Sequence, residues 1–232
     1  MRSVLITGAG RGFGRALFGV YARRGWRLFP LVRDPGAAQT LSAAAEPCHP
    51  IVGDVAAPET AREIARVLDR HGGSLDLLIN NAGNIRKTEG VLNMTPEEME
   101  EHFRVHCAGA FRCTRAALPF LERAPRPIVV NVTSRWGTMA WVAGNPPARA
   151  HAYCIAKSAL NMLTVCLDQA LKPRGIRVVA VHPGRLRTDA APPDADTDPA
   201  EAAARLAEWL ETLDLGEEGS CHDLMSGETI PW

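Results

Sequence analysis

Six short apolar runs recur along the chain at 4–7, 26–32, 49–53, 75–80, 128–132 and 176–182, most of them rich in Val, Ile and Leu and bounded by turn residues. Continuous runs of this length fit strands covered on both faces, as in a parallel sheet, better than the alternating pattern of a half-wet sheet. Between and after them lie helix-compatible segments, roughly 12–24, 36–45, 58–70, 96–122, 150–172 and 199–212. Strand and helix therefore alternate. With right-handed crossovers this predicts a single doubly wound, Rossmann-type α/β domain, with about seven mainly parallel strands and helices on both faces. Thr95, Pro96 and Glu98 have the spacing of a capping box at one helix start, and Pro173 with Gly175 stops the helix that begins near Ala150. The Ala-, Pro- and Asp-rich stretch 190–204 reads as a loop running into a helix.

Charge narrows the partners. The 232 residues carry 26 Lys and Arg against 26 Asp and Glu, so the basic excess expected of a nucleic-acid or anionic-membrane binder is missing. No stretch approaches the ~20 consecutive apolar residues of a membrane span, and Met1-Arg2 leads straight into the first run without the pattern of a signal peptide. Six cysteines, at 48, 107, 113, 154, 166 and 221, show neither C-x-x-C pairs nor a metal-ligand spacing. Free thiols, a cytoplasmic location, no metal and a small neutral partner are the expectation.

Between the first strand and the first helix stands Thr7-Gly8-Ala9-Gly10-Arg11-Gly12-Phe13-Gly14. Glycines there permit a tight turn and close backbone approach to a pyrophosphate, while the helix N-terminus offers unpaired N–H groups and the positive end of its dipole. The sequence thus points to a dinucleotide.

The T-G-x-x-x-G-x-G spacing of that turn resembles the short-chain dehydrogenase/reductase family. The other motifs fall in family order: Asp54-Val55, Asn80-Asn81-Ala82-Gly83, Ser134, Tyr153 with Lys157, and Pro183-Gly184. The resemblance implies that Thr7, Gly8, Gly10, Arg11, Gly12, Phe13 and Gly14 form the cofactor turn. It further implies that Asp54 meets the adenine amino group, that Val55, Asn81, Ala82 and Gly83 line the cofactor, and that Pro183, Gly184 and Thr188 approach the nicotinamide end. Val32 stands where NAD-type members carry an acid, and Arg33 follows it. An arginine can pair with a 2′-phosphate where a carboxylate would repel one, so NADP(H) is expected over NAD(H). The alternative for Arg33 is a plain strand-end pair with Asp34.

Tyr153 and Lys157, four residues apart, share one face of a helix. A charged Lys beside a phenol favours the phenolate and predicts a lowered pKa, giving a group able to move a proton near neutrality. The alternative is an amphipathic helix with a buried-edge Tyr and a snorkelling Lys. By resemblance, Ser134 binds the substrate oxygen, Tyr153 donates the proton and Lys157 holds the nicotinamide ribose. Ser134 precedes Tyr153 by nineteen residues, more than is usual in the family, and the enlarged loop carries Trp136, Trp141, Pro146 and Pro147. Those tryptophans fit either a substrate-pocket wall or an interface or core. His106 occupies the helical position where the family usually has the Asn of a proton relay. It is read either as a substitute relay member or as a structural histidine.

YCIAKSALNM at 153–162, His182-Pro183-Gly184, Arg187-Thr188-Asp189 and the ending GETIPW resemble the C-factor and sniffer-type carbonyl reductase branch, although Arg185 and Ala190-Ala191-Pro192 depart from it in the covering loop 185–198. The expectation is an NADPH-dependent reductase of a ketone or aldehyde, or oxidase of the corresponding alcohol, assembled as a homodimer or homotetramer through helices 96–122 and 150–172. The alternative is an NADP(H)-binding signalling or regulatory protein with little turnover. A lyase or epimerase is disfavoured, since such relatives need a larger substrate domain.

Overall fold

The computed structural model describes residues 1–85, 90–147, 149–188, 195–213 and 221–232. Its strands are β1 (Ser3–Thr7), β2 (Arg27–Val32), β3 (Ile51–Val52), β4 (Leu77–Asn80), β5 (Ile128–Val132), β6 (Arg177–His182), β7 (Cys221–Asp223) and β8 (Thr229–Ile230). They form one sheet in the order β3-β2-β1-β4-β5-β6-β7-β8, parallel throughout except for β8 against β7. The expected doubly wound sheet is therefore present with eight strands among the described residues. The two C-terminal ones had no visible signal, because three and two residues are too few to show a period.

Continuous apolar runs place a core on each face. Along β1, Val4 and Ile6 join one cluster with Leu17, Tyr21 and Leu206, while Leu5 joins the other with Phe29, Ile64 and Leu121. On the first face lie α1 (Gly12–Arg23), α2 (Pro35–Ala44) and α8 (Pro199–Thr212), and on the second α3 (Thr60–His71), α4 (Pro96–Phe103), α5 (Gly109–Leu121) and α7 (His151–Leu171). A short α6 (Met139–Gly144) packs on the Arg135–Gly137 turn. No helix among the described residues is long and apolar enough to cross a membrane.

Local signals set several boundaries. Thr95 and Glu98 form the capping box that opens α4, and Asp198 accepts from the N–H groups of Ala200 and Glu201 to open α8. Asp34 caps α2 in the same way, accepting from Gly36 and Ala37. One boundary differs from expectation: the single helix read over 96–122 is two, α4 and α5, joined by a π turn at Arg104–Ala108. The wider turn carries His106 into the interior, and a Cβ on Gly109 just after it would lie 3.0 Å from Val55 Cγ2. Such bulges insert one residue without a compositional mark, so apolar spacing alone does not reveal them. Asp189 and Ala190-Ala191-Pro192 of the covering loop lie outside the described residues.

Candidate active site

The C-terminal ends of the parallel strands open onto one cleft of about 1630 Å³, at the switch point where β1 and β4 send their connections to opposite faces. Gly8, Gly10, Arg11, Gly12, Phe13 and Gly14 line it at one end, and Ser134, Tyr153, Lys157 and His106 at the other. Arg33, Asp54, Val55, Asn81, Ala82, Gly83, Pro183, Gly184 and Thr188 line it as well. Thr7 does not reach it. Buried beneath the turn, Thr7 Oγ1 accepts from the N–H groups of Asn81 and Ala82, each at 2.9 Å, so it ties β1 to the β4 exit.

The glycine turn is closed by contacts that tolerate no side chain. A Cβ on Gly14 would stand 2.2 Å from the Gly8 carbonyl oxygen and 2.6 Å from Asn81 Nδ2. Asn81 Nδ2 meanwhile donates to the carbonyls of Thr7, at 2.9 Å, and Gly8, at 3.3 Å. Arg11 sits at the α1 N-cap in extended conformation and makes no side-chain cap, leaving the first N–H groups of the helix for an anion. This cradle of backbone, an uncapped helix start and exposed cations fits the diphosphate of a dinucleotide. Arg33 is 75% exposed and approaches Asp54 at 3.9 Å. The strand-end pair with Asp34 is not formed, because Asp34 is engaged as the α2 cap.

At the other end Tyr153, Lys157 and His106 are buried and Ser134 is half-buried. Tyr153 and Lys157 lie on the first turns of α7, which begins directly after Ala150, a residue in left-handed conformation at φ +70°. A non-glycine residue there is strained, a feature that concentrates at functional sites. Lys157 Nζ donates to the Val132 carbonyl at 2.6 Å and lies 5.6 Å from the Tyr153 ring centre. Burial pulls Lys157 down to about 7 and pushes Tyr153 up to about 12, the hydrogen bond with Ser134 offsetting part of the latter. The lowered tyrosine pKa expected from the spacing is thus reversed. Desolvation disfavours the phenolate and the ammonium alike, and the lysine that should have stabilised the phenolate has itself lost much of its charge.

His106 stands edge-on to Tyr153, with ring centres 5.3 Å apart, and is 3% exposed. Its Nε2 lies 2.8 Å from the Asn84 carbonyl, so Nε2 carries the proton, and Nδ1 has no partner among the described residues. Burial, and then Lys157, hold the imidazole well below its usual range, hence neutral at pH 7. Gly83 fits behind it because a Cβ would come within 2.5 Å of His106 Cε1.

Among the cleft residues to which sequence reasoning gave no functional role are Asn84, Arg135, His182 and Asp223. Arg135 follows Ser134 directly, which is a usable signal. Asp223 had none, since it lies on the unrecognised β7. Burial would raise the Asp223 carboxyl, but N–H groups of Ser226 and Met225, with His182 and Arg135 beside it, hold it below its ordinary value. His182, also buried, is lowered to about 4.

Residues 2–198 match the family model for short chain dehydrogenase. The C-signal protein of Myxococcus xanthus is 32% identical over 160 residues, 69% of this chain and 94% of its own length. The NADPH-bound carbonyl reductase from chicken fatty liver superposes with a TM-score of 0.92 at 27% identity, covering 100% of this chain and 99% of that one. The carbonyl reductase Sniffer of Drosophila melanogaster, at 24% identity and a TM-score of 0.88 over the full length of both chains, shares the fold.

Proposed function

The chain belongs to the short-chain dehydrogenase family, and on that premise we propose that it is an NADP(H)-dependent oxidoreductase interconverting a ketone or aldehyde with its alcohol. The observation that supports this reading is the convergence of Ser134, Tyr153 and Lys157 at one end of a cleft whose other end is the glycine turn. Arg33, exposed at the end of β2 with Arg11 on the same cleft, suits a 2′-phosphate, and the chicken relative named above is NADPH-bound.

When bound, the cofactor supplies a hydride to the carbonyl carbon. Ser134 Oγ, which accepts from the Trp136 N–H at 3.2 Å, turns its proton to the substrate oxygen and fixes it beside Tyr153. Tyr153, pushed up to about 12, stays protonated at neutral pH and is ready as the acid of the reductive direction. Lys157, at about 7, is poised to gain or lose a proton behind it. His106, neutral and fixed by Asn84, orients the Tyr153 ring and keeps that side of the phenol dry.

All six cysteines are free, which suits a reducing cytoplasm. Phe103, Phe111, Ile155 and Met162 are exposed on the connected helices α4, α5 and α7 and suit pairing with a second copy. A dimeric or tetrameric mass by light scattering at micromolar concentration is expected, and a monomer would sink that part.

The reading is tested by following NADPH oxidation against a panel of ketones and aldehydes. Tyr153→Phe should lower turnover by roughly 10²–10⁴ while leaving NADPH binding intact. NADPH binding with no Tyr153-dependent turnover on any panel member would favour a binding protein instead.

A further inference from the structure

The enlarged loop between Ser134 and Tyr153 is held from an unexpected direction. Arg135 reaches away from the loop to Asp223 on β7, with Nε and Nη2 each 2.7 Å from Oδ2. The Asp223 side chain is 2% exposed, and its other oxygen accepts from the N–H groups of Met225, at 2.9 Å, and Ser226, at 3.1 Å. The carboxylate is thus held at both oxygens, and it anchors the guanidinium through two nitrogens. The Arg135 guanidinium carbon lies over the ring of Trp141 of α6, 4.8 Å from the indole centre. Met139 and Ala140 of this short helix are exposed, and the helix packs on the very turn that carries Arg135. Across the cleft end Trp136 meets Tyr153 edge-on, with ring centres 6.5 Å apart. Trp136, Trp141, Pro146 and Pro147 line the same cleft as Ser134 and Tyr153.

We propose that Asp223 is a positioning residue for substrate choice: through Arg135 it holds Trp141 as a flat wall of the substrate end, so that the preferred substrates are planar aromatic carbonyl compounds. This rests on the reductase reading for the chemistry, but not for the binding. Indoles and prolines offer faces to an aromatic ring, and a guanidinium stacked on one of them adds a cation whose geometry the carboxylate has already set. Asp223 lies beyond residue 198, where the match to the family model ends, so this latch is supplied from outside the family-defining segment. A saturated ring of the same carbon count presents no face to such a wall.

The full-length protein, saturated with NADP⁺ so that no hydride can be delivered, is titrated calorimetrically with benzaldehyde and with cyclohexanecarbaldehyde. The wild type is expected to bind benzaldehyde at least fivefold more tightly. Asp223→Asn keeps the acceptor for Met225 and Ser226 but loses the negative charge that faces Arg135, and should bring the two affinities within twofold. Arg135→Met cuts the same link from the other side and serves if the first variant does not fold. Trp141→Ala should also erase the preference, whereas Trp141→Phe should retain it. Equal affinities in the wild type, or a preference that survives in either folded Asp223→Asn or Trp141→Ala, would overturn the proposal. Benzaldehyde preference without Tyr153-dependent NADPH oxidation would remove the reductase reading and leave the wall; turnover without preference would do the reverse.

Discussion

The two ends of the cleft are built by different means. At the glycine turn, residues within one strand–turn–helix stretch do most of the work, through backbone groups and exposed cations. At the tyrosine end, buried side chains come from the π turn, α7, β6 and β7, and desolvation moves their proton affinities. A local device leaves a contiguous sequence signature and is insensitive to burial. A device assembled from distant segments is defined by burial, which no single segment encodes.

The largest test of this contrast is Gly14→Ala. Its new Cβ would meet the Gly8 carbonyl at 2.2 Å, so backbone must move, and a stability loss of about 3 kcal/mol is expected together with loss of NADPH binding. Urea unfolding and a cofactor titration read both effects. A variant of wild-type stability and affinity would show that the turn is less tightly closed than its geometry implies.

Lys157 is next, and probes burial at the other end. Its folded pKa of about 7 lies below its ordinary 10.5, so the unfolded chain binds the extra proton in between and stability rises with pH across that window. Between pH 7 and pH 9 the gain should be about 2 kcal/mol in the cofactor-free protein, and Lys157→Met should remove it. Equal slopes in the two proteins would place the Lys157 ammonium in water rather than in the core.

Returning to the first end, Arg33→Ala should weaken NADPH binding about tenfold and leave NADH within twofold, the effect of one charge-assisted pair with a phosphate. Equal effects on both cofactors would dissolve the assignment of Arg33 to the 2′-phosphate. The smallest change is expected for His106→Asn. An amide can still donate to the Asn84 carbonyl, so turnover should stay within about tenfold, with a less steep loss of stability below pH 6.5. The sign follows from the lowered imidazole: below 6.5 the unfolded chain takes up a proton that the folded one refuses. Identical turnover and identical acid stability would leave His106 as a space filler.

Much of the fold was legible because continuous apolar runs, caps and glycines are local facts. Val4, Leu5 and Ile6 announce a strand covered on both sides, and the structure divides them between two cores. Thr95 and Glu98 announce a helix start that the structure contains. The π turn at Arg104–Ala108 and the brief β7 were not legible, since neither changes the apolar spacing of its surroundings. Among site residues, those near the glycine turn could be named from their order alone. Arg135 and Asp223, eighty-eight positions apart, could not be paired.

By itself the sequence determined a doubly wound sheet and a glycine turn between its first strand and helix, because each depends on residue type and short spacing; Ser134, Tyr153 and Lys157 were singled out together only through resemblance. Only the tertiary structure decided how those groups titrate and what surrounds them. It raised Tyr153 where proximity to a lysine predicted lowering, withdrew Arg33 from Asp34, and paired a buried carboxylate of β7 with Arg135. Proton affinity depends on the water removed from around a group, and the segments that remove it lie far apart in the chain.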